Sequence, residues 1–390
     1  MFGTNFWIYV WDLEDEGIGE VLDRLHGEVG ATGISVATSY HSVDHLRIHA
    51  DVSPRVYRAD GGIYFQPDTK HYAATRLKPI TSPYIKSRNP LAKIAEACAR
   101  RHMKLRSWTV FGHNSYLVAR HESFACRNVF GDLNPTWLCP ANPDVREYFR
   151  ALVADLTENY PLQAVEVESM LYPARLHHHR HEKIGIALGE ADQFLLGLCF
   201  CESCRQSARR AGADIDAAAR STRVRLEKSF QAGRSATDRV EALLDEDEPI
   251  RGFARWRVES MTELVAAIKA SCRASLVMYD IGKMYATGGD AMAINEHVDA
   301  FLGMCYRPDL DQVDAAVARL RKLKPDNAGV ELGFHGYPPN CPDAPTLVRQ
   351  FTRAAELGVR SANVYHYGIM PEANLDWVRQ AVRAATRAAS

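Results

Sequence analysis

Two glutamates stand two positions apart in a short apolar run, AVEVESM (164–170), whose composition is that of a buried β-strand. Residues two apart in a strand project to the same face, so the carboxyl groups of Glu166 and Glu168 share a direction. That direction must be the interior of the sheet, because a carboxylate turned outward would be buried under helices without a partner. A partly desolvated carboxyl group above a second negative charge has a raised pKa, which suits a general acid near neutral pH. Glu168 is therefore the leading candidate proton donor.

The alternative for both glutamates is a buried salt bridge to a cation of the neighbouring strand, such as Lys104 or Arg106. The catalytic interpretation also requires a second carboxylate, since glycosidic bonds are commonly cleaved between two. Three residues are candidates for that partner: Asp280, which is the best placed at the end of a later strand, then Glu331, which falls early in its strand, and Asp12.

A histidine run (177–181) follows the predicted strand 164–170. His177, His179, His181 and Lys183 could bind sugar hydroxyls or an acidic group of a substrate. Alternatively, alternate imidazoles could hold a metal ion together with Glu168 or Glu182, although no HExxH spacing is present. A solvated charged loop is the third interpretation.

Three cysteines, Cys199, Cys201 and Cys204, have the spacing C-x-C-x₂-C at the start of a predicted helix. Thiolates this close together can share one tetrahedral zinc ion, with a fourth ligand from elsewhere. The candidates for that ligand are Cys126, Cys139 and a histidine of the run 177–181. Such a zinc would be structural and would hold a long insertion in place. Reduced cysteines without a metal, or redox chemistry, are the alternatives.

Eight β-like runs alternate with amphipathic helical stretches, and this alternation must position the residues above. The runs are 5–13, 33–42, 104–114, 164–170, 274–281, 300–307, 328–336 and 361–368. Eight β-then-α units predict an α/β fold, a closed (β/α)₈ TIM barrel. An open doubly wound sheet is less favoured because no Gly-rich phosphate turn follows an early strand, and no organic cofactor is expected for the same reason.

Two connections are too long for plain barrel loops, one after strand 2 (about 43–88) and one after strand 4 (about 171–273). The turn Asp60-Gly61-Gly62 in the first predicts a β-hairpin, and the second contains the histidines and the clustered cysteines. No composition break separates a second domain, so we expect residues 1–390 to form a single barrel domain with these insertions on the active-site face.

The predicted strand ends are rich in aromatic rings, histidines and polar groups, which is what a sugar-binding cup requires. Tyrosine and tryptophan also favour strand ends for the simple reason that water satisfies their polar tips. Besides Glu166 and the histidine loop, the candidate substrate-binding residues are Trp11, Asp12, Tyr40, His41, His113, Asn114, Tyr279, Tyr306, Arg307, His335, Tyr365, His366 and Tyr367.

Composition excludes several classes of function. The formal net charge of −1 and the lack of a long basic run argue against a nucleic-acid partner. No apolar segment is long enough for a membrane span, and the amino terminus lacks the basic region and cleavage site of an export signal. With nine cysteines and no export signal, reduced thiols in the cytoplasm are expected. A homo-oligomer is possible.

Several segments resemble a set of uncharacterised bacterial glycoside-hydrolase-like (β/α)₈-barrel proteins. These segments are WDLEDEGIGEVLDRL, TSYHS, RVYRADGGIYFQP, LCPANPDVREYF, HHHRHEKIGIALG, CFCESC and VYHYGIMPEANLDWV. The cysteine cluster, placed after the strand that ends in Glu168, is similar to that of the family 42 β-galactosidases. That resemblance implies an acid/base role for Glu168 and zinc ligation by Cys199, Cys201 and Cys204.

The chain departs from the family 42 pattern at two places. Val167 stands where that family has an asparagine before the acid/base residue, and His335 ends the seventh strand where the family has its nucleophilic glutamate. The Glu-x-Glu pair also bears a slight likeness to the D-x-E ending of family 18 chitinases, in which the acetamido group of the substrate attacks.

Three hypotheses follow for the function. The first is a glycoside hydrolase with Glu168 as general acid. The second is a metal-dependent isomerase, epimerase or lyase that acts on a sugar or sugar acid and uses the histidine loop and Glu168 as ligands. The third is a carbohydrate-binding barrel without catalytic activity.

Overall fold

Eight parallel strands form a closed barrel in the computed structural model, which describes residues 2–48, 54–173, 183–235, 237–280 and 284–389. Each strand pairs in parallel with the next along the chain, and the last pairs with the first. This closed order confirms the predicted (β/α)₈ fold. The barrel strands are β1 (Gly3–Ile8), β2 (Gly33–Tyr40), β3 (Lys104–Val110), β4 (Ala164–Glu168), β5 (Ser275–Tyr279), β6 (Ala300–Met304), β7 (Val330–His335) and β8 (Ser361–Tyr365).

Helices cover the barrel and build its connections. The α-helices are Val10–Glu16, Ile18–Asp23, Pro90–Arg100, Ser115–Val118, Pro143–Asn159, Glu190–Gly197, Glu202–Arg210, Ile215–Ala232, Val240–Glu246, Glu248–Ser271, Met284–Thr287, Ala291–Ile294, Leu310–Leu323, Ala344–Glu356 and Leu375–Ala388. A π-helical segment spans Arg24–Val29, and 3₁₀ turns span Thr69–Tyr72, Glu122–Phe124, Asn295–His297, Asn327–Gly329, Tyr367–Ile369 and Glu372–Asn374. Several helices begin as the sequence predicts, with an Asn or Asp cap before proline; the Asn142 side chain, for example, accepts the amides of Asp144 and Val145. Within the described ranges, no helix is both long and apolar enough to cross a membrane.

The first barrel strand is shorter than predicted, and this moves two candidate residues off the strand. β1 ends at Ile8, and a helix starts at Val10, so Trp11 and Asp12 lie in the first helical turn. Asp12 accepts the backbone amide of Tyr9 at 3.1 Å, as a carboxylate near a helix N-terminus commonly does. Trp11 is fully buried and donates its Nε1 proton to His45 at 2.8 Å. Both residues were predicted to lie at the end of the first strand, and neither does.

The connection after β2 contains a hairpin, but its strands differ from those predicted. Val43–Leu46 pairs with Val56–Ala59, and Gly62–Ile63 pairs instead with the end of β2. Gly61 and Gly62 both have positive φ angles (96° and 137°), and a Cβ atom on Gly62 would lie 2.9 Å from the Ile80 carbonyl oxygen. The two glycines therefore let the chain turn back against the barrel, and they are not the tip of a hairpin.

A second, unpredicted hairpin follows β3 and joins Ala125–Arg127 to Leu133–Leu138. It brings Cys126, Trp137 and Cys139 to the insertion that follows β4. The described part of that insertion contains five helices, and the last of them, Glu248–Ser271, packs beside Pro143–Asn159 as a helix of the barrel wall. The histidines of the run 177–181 lie outside the described residues.

Candidate active site

Glu168, the last residue of β4, lies half-buried at the carboxyl end of the barrel. The indole Nε1 of Trp108 on β3 donates a hydrogen bond to its Oε2 atom. Burial raises the pKa of Glu168 to about 7; the Trp108 hydrogen bond opposes that rise and the negative charge of Glu166 adds to it. A carboxyl group with this pKa can both give and take a proton near neutral pH.

Five tyrosines surround Glu168 and form an aromatic cup: Tyr9, Tyr40, Tyr279, Tyr306 and Tyr365. Burial raises the pKa of each of their hydroxyls, and the negative charge of Glu168 raises it further. Trp108 packs between them, with its ring 4.7 Å from that of Tyr40 and 5.9 Å from that of Tyr365, both edge to face. Such edge-to-face contacts fix the ring orientations.

An ion network lies below Glu168, in the interior of the barrel. The fully buried Glu166 faces the Arg106 Nε at 3.1 Å, and it accepts hydrogen bonds from Trp7 (2.6 Å), Ser35 and Tyr279 (3.1 Å). Arg106 also makes a two-point contact with Glu331, at 2.8 and 3.2 Å. The structure therefore contains the Arg106 salt bridge that was the alternative interpretation of Glu166.

This network removes Glu331 as the predicted catalytic partner of Glu168. Its carboxylate is fixed by Arg106 and by the Asn363 amide (3.1 Å), one layer below the mouth. Glu166 was predicted to contact a substrate, but its side chain is fully enclosed in this geometry and cannot do so directly.

Asp280, the other predicted partner, is turned away from the barrel interior. Its neighbour Tyr279 points inward to Glu166, so Asp280 points outward, as alternation along a strand requires. There its carboxylate forms an ion pair with Arg319 of the helix Leu310–Leu323. The structure therefore does not bring Asp280 to Glu168.

His335 ends β7 within a stack of rings. Its ring centroid lies 3.9 Å from that of Tyr306, 5.0 Å from that of Tyr337 and 5.3 Å from that of Tyr365, and the Asn340 amide donates to its Nδ1 at 2.8 Å. Burial lowers the pKa of His335 to about 4, so the imidazole is neutral at physiological pH. The mouth here presents a neutral polar ring.

The opposite rim is a column of four rings. Tyr40, His41, His113 and Trp137 stack in order, with successive centroid distances of 4.4, 4.2 and 5.4 Å. Trp137 is fixed by a 2.7 Å hydrogen bond from its Nε1 to the Leu171 carbonyl, just after the end of β4. The predicted residues Tyr40, His41 and His113 thus lie together on one side of the mouth.

Of four further predicted residues, three lie away from the cup and one, His366, lies behind it. Tyr367 is buried and donates its hydroxyl to Glu16 at 2.7 Å, on the helical side of the barrel wall. His366 is fully buried behind Tyr9, with ring centroids 4.2 Å apart. Arg307 is exposed and pairs with Asp309. Asn114 is buried, and its amide donates to the Phe111 carbonyl.

Only Lys183 of the predicted histidine-loop candidates lies within the described residues. Lys183 is exposed, and His177, His179 and His181 lie outside the described residues. Their predicted contacts with a substrate therefore stay predictions.

Four aromatic residues of the site were not among the sequence candidates: Trp7, Tyr9, Trp108 and Trp137. Two-residue alternation could have found the first three, because Trp7 and Tyr9 share the inward face of Asn5, and Trp108 shares that of Arg106. Trp137 lies on the unpredicted hairpin, and no pattern within its own segment indicates its position.

A cluster of buried thiols lies beside the rim. The sulfur atoms of Cys139, Cys199, Cys201 and Cys204 all lie within 4.8 Å of one another, and all four thiols are free of disulfides. Cys139 is 3.4 Å from Cys201 and 3.5 Å from Cys204, and the backbone amide of Arg127 donates to the Cys199 sulfur at 3.3 Å. Four converging soft donors fit a tetrahedral zinc ion. Of the three predicted candidates for the fourth position, Cys139 completes this group.

Comparison with solved structures gives the class of fold. An α-L-fucosidase from Paenibacillus thiaminolyticus matches with a TM-score of 0.57 at 11% identity, over 99% of this chain and 49% of that one. A β-galactosidase from Marinomonas ef1 (TM-score 0.58, 11% identity, 98% and 59%) and another from Halorubrum lacusprofundi (0.58, 11%, 99% and 58%) match similarly. The chain therefore spans about half to three fifths of the length of these glycoside hydrolases, and it shares their barrel fold.

Sequence comparisons add no family. No protein-family model and no curated protein matches the chain. The similarity of its cysteine cluster to the family 42 enzymes thus stays a prediction.

Proposed function

We propose that this protein is a glycoside hydrolase in which Glu168 is the general acid. The observation that carries the proposal is a half-buried carboxyl group with a pKa near 7 at the centre of an aromatic cup, on the barrel face where catalytic residues of this fold gather. Aromatic faces can stack on a pyranose ring, and the tyrosine hydroxyls can bond its hydroxyl groups. The substrate class we propose is accordingly a carbohydrate.

The orientation of Glu168 suits proton donation. Trp108 holds Oε2, whereas Oε1 has no hydrogen-bond donor among the described residues. The proton can therefore reside on Oε1 and pass to the glycosidic oxygen as the bond to the anomeric carbon breaks.

We also propose that the four clustered cysteines hold a structural zinc ion. Bound there, the ion would join the hairpin after β3, through Cys139, to the insertion after β4, through the other three ligands. The buried guanidinium of Arg257 interacts electrostatically with Cys199 and Cys204. Its positive charge would therefore offset part of the negative charge of four thiolates. Cys139 lies two residues after Trp137, so this junction would also position the rim of the cup.

The test is hydrolysis of a panel of 4-nitrophenyl glycosides and unsubstituted disaccharides by the wild-type protein, Glu168→Gln and Asp280→Asn. We expect Glu168→Gln to lower kcat/KM by about 10²–10⁴-fold on disaccharides, which need a proton on the leaving group, and Asp280→Asn to change it little. Full activity of Glu168→Gln would refute the assignment. If sugars raise the melting temperature but are recovered unchanged, the protein is a binding barrel. A requirement for a second, exchangeable metal would favour the isomerase or lyase alternative.

A further inference from the structure

The nucleophile of the proposed reaction is not supplied by a second carboxylate in the described part of the mouth. Of the described charged groups, only Glu166 acts on the pKa of Glu168. Glu331 is held by Arg106 below, and Asp280 faces Arg319 outside the barrel. Asp12 accepts the Tyr9 amide in the helical turn after β1. Among the described residues, the remaining candidates to attack the anomeric carbon, or to activate the water that does so, are uncharged groups of the cup.

Tyr279 is the group that the geometry favours. It ends β5, beside β4, and the residue before it, Met278, pairs with Val167, the residue before Glu168. Its half-buried side chain leans into the barrel, where its hydroxyl donates to Glu166 Oε2 at 3.1 Å. Its ring packs edge to face on Trp7, with centroids 6.1 Å apart, and Trp7 also bonds Glu166. The tyrosine is thus both oriented and paired with a carboxylate.

We propose that Tyr279 is the catalytic nucleophile and that Glu166 is its general base, an assignment that rests on the proposed glycosidase activity. A nucleophile of low reactivity with a base in hydrogen-bond contact, itself held by further groups, is the general arrangement of covalent catalysis. Here Arg106, Trp7 and Ser35 hold Glu166 in place. Some glycosidases are known to use a tyrosine in place of a carboxylate nucleophile.

The proposed steps balance without another reactant. In the first, the Tyr279 oxygen bonds to the anomeric carbon and gives its proton to Glu166, while the glycosidic bond breaks and its oxygen takes the proton of Glu168. In the second, water attacks the anomeric carbon and gives a proton to Glu168. The bond to Tyr279 breaks, and its oxygen recovers the proton from Glu166. The net reaction is hydrolysis with retention of configuration.

The charges of the site favour this division of roles. Burial, with the charges of Glu166 and Glu168, raises the pKa of Tyr279 well above its ordinary value, so the hydroxyl is neutral before reaction. Attack coupled to proton transfer leaves the net charge of the site unchanged, because Glu166 becomes neutral as Glu168 becomes a carboxylate. It also converts Glu166 to its neutral form and leaves the Arg106–Glu331 ion pair balanced beneath it.

The decisive experiment traps the covalent intermediate on the wild-type protein. Incubation with 2,4-dinitrophenyl 2-deoxy-2-fluoroglycosides of galactose, glucose and fucose is followed by intact-mass measurement and peptide sequencing. We expect one fluoroglycosyl group per chain, attached to Tyr279. Attachment to another residue, or release of product with inverted configuration in an NMR time course, would overturn the assignment.

Variants test the nucleophile assignment independently. Tyr279→Phe should lower kcat at least about 1,000-fold, as loss of a nucleophile does. Tyr367→Phe is the matched control, because it also removes a buried tyrosine–glutamate bond (2.7 Å to Glu16) but lies outside the cup; it should keep wild-type kcat. Activity retained in a folded Tyr279→Phe would overturn the nucleophile assignment, while a loss in Glu168→Gln would still support the glycosidase. Absence of hydrolysis by the wild-type protein would instead refute the glycosidase.

Discussion

Replacing Glu168 by glutamine should stabilise the folded protein at alkaline pH even though it removes the proposed acid. The pKa of Glu168 is raised from the ordinary value of 4.5 to about 7 by burial. Between these two values the folded chain binds a proton that the unfolded chain has released. The free energy of unfolding must therefore fall as the pH rises from about 4.5 to about 7, and stay lower above that range.

The size of this penalty follows from the pKa shift. At about 1.4 kcal/mol for each unit, ionising Glu168 costs the folded state about 3 kcal/mol at pH 8. Glutamine has nearly the same shape, can still accept the Trp108 hydrogen bond through its amide oxygen, and carries no charge. We expect Glu168→Gln to be as stable as the wild type near pH 4.5 and more stable by up to about 3 kcal/mol at pH 8.

The assay is urea unfolding of the two proteins at pH 5 and pH 8, analysed at equal m-values. Asp280→Asn is the control, because its carboxylate lies outside the barrel beside Arg319, and it should show no gain at pH 8. A Glu168→Gln protein that is no more stable than the wild type at pH 8 would refute the reasoning, since it would mean that ionised Glu168 costs nothing in the fold.

Three further predictions concern the reaction, the metal and the floor of the barrel. The kcat/KM of the wild type should fall above about pH 7, because the acid form of Glu168 is then lost; a flat profile from pH 6 to 9 would contradict the assignment. The purified protein should contain one zinc per chain by mass spectrometry, and Cys201→Ser should lose it, whereas Cys98→Ser, a buried cysteine outside the cluster, should keep it; equal zinc in both variants would exclude this site. Arg106→Met should lower the free energy of unfolding in urea by about 3–5 kcal/mol, because it leaves two carboxylates without their cation; a neutral effect would show that the network is not needed for stability.

The barrel could be predicted from the sequence because each strand is a short apolar run followed by a helix. Its strand ends could not be predicted as well. In β1 the aromatic pattern continues from Trp7 and Tyr9 to Trp11 without a break, although the helix has already begun at Val10. Asp280 and Tyr279 were both placed in the cup, whereas adjacent strand residues must face opposite sides.

Contacts across the barrel were beyond the reach of sequence patterns. The partner of Glu331 is Arg106, on a strand at the other side of the barrel, and only the closed fold brings them together. The same holds for Cys139, which comes from one connection and joins three cysteines of another. The local C-x-C-x₂-C spacing indicated the cluster, but it left three candidates for the fourth position.

The pKa of the Glu168 carboxyl group tests the central claim most directly. It can be measured by carbon-13 NMR of glutamate labelled at the side-chain carboxyl, with Glu168→Gln used to assign the resonance. A midpoint near 7 is expected if the aromatic cup and Glu166 keep the proton on this group. A midpoint near 4.5 would show that Glu168 is ionised in neutral solution, and it would contradict the role of Glu168 as general acid.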